Sequence, residues 1–285
     1  MDYWQVDVFA ERVLAGNGLA VFADARGLSG EAMQALTREL RQFESIFLAP
    51  SAEADLFSAR IFTLEEELPF AGHPILGAAA LLHHLHARTD SATWRLRLGE
   101  RDVPLTTRRQ ANGGYHAEMD QGPARFGQEL DATAADAFAA AFSSQWDRRH
   151  PPRVVSTGLP YLLLPVTAAG LANARQQRLL DDDLAAIGAA FVFLIDVDAR
   201  EGRTWDPAGL VEDIATGSAA GPVAAWLVER GLAPRGEPFA LAQGRFLQRP
   251  SRLEVRVEAD GHVHVGGGVH LLARGTLLHA PETLA

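Results

Sequence analysis

The chain has 285 residues, 47% of them hydrophobic and 22% charged, a globular composition with room for one large domain or two of about 140 residues. Its formal net charge of −10 repels phosphate backbones and anionic headgroups, so neither nucleic acid nor a membrane surface is expected as a partner. It contains no cysteine and all 26 basic residues are arginine, which excludes disulfides, thiolate nucleophiles, lysine Schiff bases and the Walker A lysine.

The N-terminal Met1-Asp2-Tyr3-Trp4-Gln5 lacks the basic start and apolar core of a signal peptide, and no apolar run reaches the ~18–20 residues of a membrane span. A cytoplasmic location is therefore expected. Trp4 to Phe9 reads as a strand, Gly16-Asn17-Gly18 as a turn and Leu19 to Phe22 as a second strand. An amphipathic helix follows from about Ser29 to Arg41, with Met33, Leu36 and Leu40 on one face. Glu44-Ser45-Ile46-Phe47-Leu48 is a strand that opens on a carboxylate, and Arg60-Ile61-Phe62-Thr63 is another. After Gly72-His73-Pro74, the stretch Ile75 to Leu82 is apolar on all sides, as a helix enclosed by a core must be.

The order then recurs. Val154 to Leu162 supplies a glycine turn and strand, Phe191 to Val197 an apolar strand, and Glu212-Asp213-Ile214-Ala215-Thr216-Gly217-Ser218 leads into a second small-residue helix, Ala219 to Val228. Aligning Gly72-His73 with Gly217-Ser218 also puts Glu67 on Glu212, which suggests duplication of one domain. Between the halves, Gly113-Gly114 and Gln121-Gly122-Pro123 are the best compositional breaks, Asp131 to Phe142 is an alanine-rich helix, and the triple glycine Gly266-Gly267-Gly268 reads as a turn. The expected division is 1–118, joined by the C-terminal segment 272–285, and 119–271.

A helix start offers unpaired backbone N–H groups and partial positive charge to a carboxylate or oxyanion. Two such starts are present, at Gly72 and Gly217, each followed by a polar side chain, His73 or Ser218. Glu44 and Asp213 are the acid–base candidates, Glu44 because Phe43 and Ile46-Phe47-Leu48 would desolvate it and draw its titration towards neutrality. Taken singly, each has a structural reading too: a solvated strand end for Glu44, a hydrogen-bonding histidine for His73, a turn cap for Asp213. Rival motifs are weaker. Gly217-Ser218-Ala219-Ala220-Gly221 lacks the glycine two before the serine of a nucleophile elbow. His83, His84 and His86 read as a solvated helix end rather than a metal site, and the triple glycine completes no dinucleotide fingerprint because Leu271 stands at its last position.

Gln5-Val6-Asp7-Val8-Phe9, Gly16-Asn17, Glu44-Ser45, Glu67-Leu68-Pro69-Phe70-Ala71-Gly72-His73-Pro74, Asp213 with Thr216-Gly217-Ser218-Ala219-Ala220-Gly221-Pro222, and Gln243-Gly244 with Arg249-Pro250-Ser251 run in order through almost the whole chain. Together they resemble the phenazine-biosynthesis (PhzF-like) family. The resemblance implies an α+β, diaminopimelate-epimerase-like fold: two similar domains, each a curled, mostly antiparallel sheet or barrel around a central helix, with the active cleft between them. It implies a cofactor-independent isomerase moving a proton between carbons of a small carboxylate-bearing substrate. Glu44, His73 and Asp213 would be the catalytic residues, and Gly72, Gly217 and Ser218 the substrate-binding ones. No metal or organic cofactor is implied, and a homodimer is. Epimerases of this fold place cysteines where Ala71 and Thr216 stand here, so a two-thiol mechanism is excluded. Phe43, Ile214 and Trp205 depart from the usual family wording and bear on pocket shape. A non-catalytic small-molecule-binding protein on the same fold is the alternative.

Overall fold

Alternating side chains commit residues 1–22 to two strands, and the computed structural model, which describes residues 1–206 and 208–279, shows them as β1 (Asp2–Val8) and β2 (Asn17–Phe22). Helix α1 (Gly30–Leu40) follows, with Ser29 Oγ accepting from Ala32 N–H at 3.1 Å and Arg41 closing it in the left-handed conformation. Then come β3 (Glu44–Pro50), β4 (Leu56–Thr63), the short β5 (Glu67–Leu68) and helix α2 (Gly72–His86). The strands β6 (Ser91–Leu98), β7 (Arg101–Arg109), β8 (Tyr115–Pro123) and β9 (Arg125–Glu129) occupy the region expected to hold the linker. The second half runs α3 (Ala132–Ala141), β10 (Arg153–Ser156), β11 (Pro160–Pro165), α4 (Ala168–Asn173), α5 (Asp181–Ile187), β12 (Phe191–Asp196), β13 (Glu201–Thr204), α6 (Gly217–Glu229), β14 (Phe239–Gln243), β15 (Ser251–Val257) and β16 (His262–Thr276).

Among the described residues two compact units result: Met1–Asp120 with the chain from Gly266 to His279, and Gln121–Val265. The chain passes from one unit to the other within β8 and β16, both continuous strands. Of the C-terminal segment expected to join the first half, residues 280–285 lie outside the described residues. Among the described residues no helix is long and apolar enough to cross a membrane.

In the first unit the strand order is β1-β2-β3-β4-β6-β7-β8-β16, and β1 also pairs β16, which closes an eight-stranded barrel. Helix α2 lies against β1, β2, β3, β6 and β7, and its residues from Gly72 to His83 are buried, the geometry its all-round apolarity required. His83 corrects one expectation. It is fully buried, 2.7 Å from Thr107 Oγ1 and 2.9 Å from the Thr89 carbonyl, while His84 and His86 are the exposed pair. Helix α1 packs on the outer face over Phe22, Phe47 and Phe62, whose rings stack at 4.5 Å and meet edge-on at 5.6 Å.

The second unit orders its strands β15-β14-β13-β12-β11-β10-β9 and buries α6 against β10, β11 and β15. The ladder from β10 to β15 runs antiparallel, parallel, antiparallel, parallel, antiparallel. The same order of pairings runs from β1 through β2, β3, β4 and β6 to β7. Each unit therefore sets its central helix after the fourth strand of that order, with Gly72 and Gly217 as first residues.

The triple glycine is not a turn. It lies within β16, where a Cβ on Gly266 would sit 2.5 Å from the Ala117 carbonyl oxygen and one on Gly268 2.2 Å from that of Ala10. Glycine here serves close backbone approach, a use indistinguishable in sequence from turn formation.

Candidate active site

Glu44 is the first residue of β3, opposite Leu19 of β2 and Thr63 of β4. It is only 6% exposed, which replaces the solvated strand end by a carboxylate enclosed in protein. His73, on the first turn of α2 and 3% exposed, brings Nδ1 to 3.4 Å from Glu44 Oε2. Asn17 Nδ2 lies 3.4 Å from the same Nδ1. A single ring nitrogen thus faces a carboxylate oxygen and an amide donor. With the proton on Nε2, Nδ1 accepts from Asn17 Nδ2.

The loop that carries Asn17 is fixed from below. Asp7 Oδ2 accepts from Leu14 N–H at 2.7 Å, and Gly16 has φ +69°, with the Val8 carbonyl only 2.3 Å from where a Cβ would project. Asn17 and Asp7 were present in the motifs read from sequence but received no role there. A glycine followed by a short amide at the opening of a strand was the available signal.

Burial holds the His73 imidazole neutral, with its pKa lowered to about 3, so its contact with Glu44 is not an ion pair at neutral pH. The consequence for stability has a definite sign. Unfolded histidine binds a proton below about pH 6.5 whereas folded His73 does not, so stability is lost as pH falls from about 6.5 towards 3, by up to about 1.4 kcal/mol per pH unit for one unmatched proton. Thermal unfolding from pH 7 to 4.5 is expected to show a steeper decline for the native protein than for His73→Gln. A ring nitrogen NMR spectrum at pH 5 that shows an imidazolium at position 73 would contradict this.

In the second unit Asp213 Oδ2 accepts from Thr216 Oγ1 at 2.6 Å. Gln243, the last residue of β14, holds the same turn: its Nε2 donates to the Asp213 carbonyl at 2.9 Å and contacts Thr216 Oγ1 at 3.0 Å, while its Oε1 accepts from Thr216 N–H at 3.0 Å. Neither Ala71 nor Thr216 caps its helix with a side chain. Ser218 Oγ is 2.7 Å from Tyr161 OH, whose ring stacks on Phe191. Pro222 sits inside α6 without breaking it, and its missing N–H removes the bond that the Ser218 carbonyl would otherwise accept. Gln121 braces the helix start, donating to the Gly217 carbonyl at 2.9 Å and accepting from Thr157 Oγ1 at 2.7 Å. Gly221 leaves room for that bridge, since a Cβ there would fall 2.1 Å from Gln121 Oε1.

Glu44, His73 and Gly72 are therefore assembled in the first unit, and Asp213, Gly217 and Ser218 in the second, each set at the opening of that unit's central helix. Gln121, Tyr161 and Gln243 each contact the turn or helix start at Thr216 to Ser218, and none was given a role from sequence. Among the described residues no group of three or more His, Cys, Asp or Glu side chains is arranged to hold a metal ion.

Two units of one ladder order, each enclosing a helix that opens on glycine beside buried polar groups, define an epimerase-like class of fold. A solved probable proline racemase from Agrobacterium radiobacter shares that fold with a TM-score of 0.63 at 15% identity, over 98% of this chain and 93% of the racemase. The chain belongs to the phenazine biosynthesis-like (PhzF-like) family, whose model matches residues 6–274, and it is an isomerase of that family. It is 36% identical to the trans-2,3-dihydro-3-hydroxyanthranilate isomerase of Pseudomonas aeruginosa, across 96% of this chain and 98% of the relative. A solved predicted epimerase, also from Pseudomonas aeruginosa, is 64% identical with a TM-score of 0.94, covering 98% of this chain and 99% of that one.

Proposed function

We propose that this isomerase moves a proton, and with it a double bond, between carbons of a small carboxylate-bearing molecule, with Glu44 as the group that takes the proton and returns it. The observation that carries the reading is the buried Glu44 carboxylate with the neutral His73 ring 3.4 Å away. One carboxylate suffices for both transfers, because a proton removed from one carbon resides on it while the electron pair shifts along the unsaturated system and the second carbon is protonated. His73 and Asp213 act with it on the substrate's polar groups, Ser218 binds the substrate, and the backbone at Gly72 and Gly217 receives its carboxylate at the positive ends of α2 and α6. The reaction so written needs no electron acceptor and no bound cofactor. The reading also includes a homodimer in the cytoplasm, as the resemblance implies; sedimentation of the purified protein at micromolar concentration tests the stoichiometry.

The relative's substrate makes trans-2,3-dihydro-3-hydroxyanthranilate the first compound to test, followed by unsaturated amino and hydroxy acids. Incubation in deuterated water is expected to place deuterium on carbon in at least one member of the panel, detected by proton NMR and mass spectrometry. A compound that binds tightly while neither it nor any other member exchanges or isomerises would overturn the assignment.

A further inference from the structure

The second unit contains a buried charged device that the reaction above does not use. Arg203, in β13, is 2% exposed. Its Nε and Nη2 each donate to one oxygen of Glu212 at 2.7 Å, the two-pronged match that a guanidinium makes with a carboxylate. Its remaining terminal nitrogen donates to the carbonyls of Leu171 at 2.8 Å and Ala174 at 3.2 Å, at the C-terminal end of α4, where partial negative charge gathers. The guanidinium carbon lies 4.7 Å from the ring centre of Trp205 and 4.6 Å from that of Phe246.

Glu212 is the residue before Asp213, and the Asp213 N–H donates to the Thr204 carbonyl at 3.0 Å. A lysine could supply the charge but not the paired fork or the aromatic stacking. The first unit repeats the arrangement: Arg60 makes the same two-pronged contact with Glu67 at 2.7 and 2.6 Å and lies over Phe62, two residues further on, as Arg203 lies over Trp205. There the pair is exposed, at 42% and 41%. Both carboxylates precede the first glycine of their helix by the same interval, Glu67 before Gly72 and Glu212 before Gly217. The aligned glutamates are thus the acceptors of a duplicated arginine clasp, and the copy beside Asp213 is the more buried one, at 2% and 11%.

We propose that Arg203 is a positioning residue for Asp213, holding Glu212 so that the turn from Asp213 to Thr216 keeps a single conformation at the start of α6; this rests on the role given to Asp213 above. The clasp fixes the turn on one side and Gln243 fixes it on the other.

Amide hydrogen exchange on the purified protein without substrate tests this directly. In Arg203→Met and Glu212→Gln, the N–H groups of Asp213 and Thr216 are expected to exchange at least about tenfold faster, with those of Val223 to Leu227 in α6 unchanged. The double variant should be no faster than Arg203→Met alone, because one interaction is removed in each. Arg203→Lys, which keeps the charge, covers the case in which the methionine variant does not fold, and is expected to accelerate the same two amides. Native exchange at Asp213 and Thr216 in these variants, or equal acceleration along α6, would overturn the proposal. Asp213→Asn separates the two readings: full turnover in that variant removes Asp213 from the reaction whatever the exchange rates show, whereas lost turnover with an undisturbed turn in Arg203→Lys defeats the positioning role alone.

Discussion

Glu44→Gln is expected to lower turnover by roughly 10²- to 10⁴-fold, the range that a positioned proton-transfer group contributes, while leaving the fold intact. Glutamine keeps the volume and shape of the side chain at a site that is 6% exposed, so neither a cavity nor a clash arises. Its amide can still donate to His73 Nδ1 when that atom is unprotonated, so the contact at 3.4 Å need not be lost. What disappears is the ability to hold a proton between two carbons. Glu44→Asp retains the acid but draws it back by one methylene and should fall between the two. The measurement is the rate of carbon-bound deuterium appearance, with circular dichroism as the control for folding. A glutamine variant within threefold of the native rate would show that the proton is carried by another group.

The second large effect is expected at a backbone position. Gly244 has φ +81°, and a Cβ there would fall 2.3 Å from the Arg249 carbonyl oxygen and 2.7 Å from that of Ile214. Left-handed backbone costs an ordinary residue about 1–2 kcal/mol, and overpacking typically adds about 1–3 kcal/mol, so Gly244→Ala should lose about 2–5 kcal/mol and melt roughly 4–20 °C lower. The damage is directed. Ile214 follows Asp213, and Gln243, which ties Asp213 to Thr216, is the neighbour of Gly244, so activity should fall beyond what residual folded protein explains. Gly231 has a similar φ of +70° with no atom within 4 Å of its absent Cβ, and Gly231→Ala serves as the control. It should lose only the backbone contribution. Equal losses in both variants would show that the contacts around Gly244 are unimportant.

The elements read most directly from sequence were those whose signals were local. Ser29 and Arg41 bounded α1 because a hydroxyl cap and a helical face can be seen in a single turn of sequence. Apolarity on every side marked α2 as enclosed, and the repeat of glycine after glutamate marked both helix starts. The strands from Ser91 to Glu129 went unread even though Trp94, Leu96 and Leu98 alternate, since Gly113-Gly114 and Gln121-Gly122-Pro123 carry turn chemistry as well as strand chemistry. Gly113 does lie in the loop before β8, but Gln121 to Pro123 belongs to that strand. Asn17 reaches His73, and Gln121 and Tyr161 reach the start of α6, through long-range pairing, and the Arg203 clasp forms in the same way, with partners 9, 29 and 32 residues away in sequence. Such pairings depend on strand order, which side-chain type alone does not encode.

Among the described strands, the one that closes the first barrel is synthesised after all the others. Because β1 pairs Asp2 with Thr276 and Val8 with Val269, the N-terminal strand waits on the ribosome with one edge unsatisfied while some 260 residues follow it. The inserted unit, continuous from Gln121 to Val265, has all its strands available before that edge is covered. Synthesis therefore favours completion of the continuous unit ahead of the discontinuous one, and removing β16 would leave β1 a sticky seam on a nascent chain.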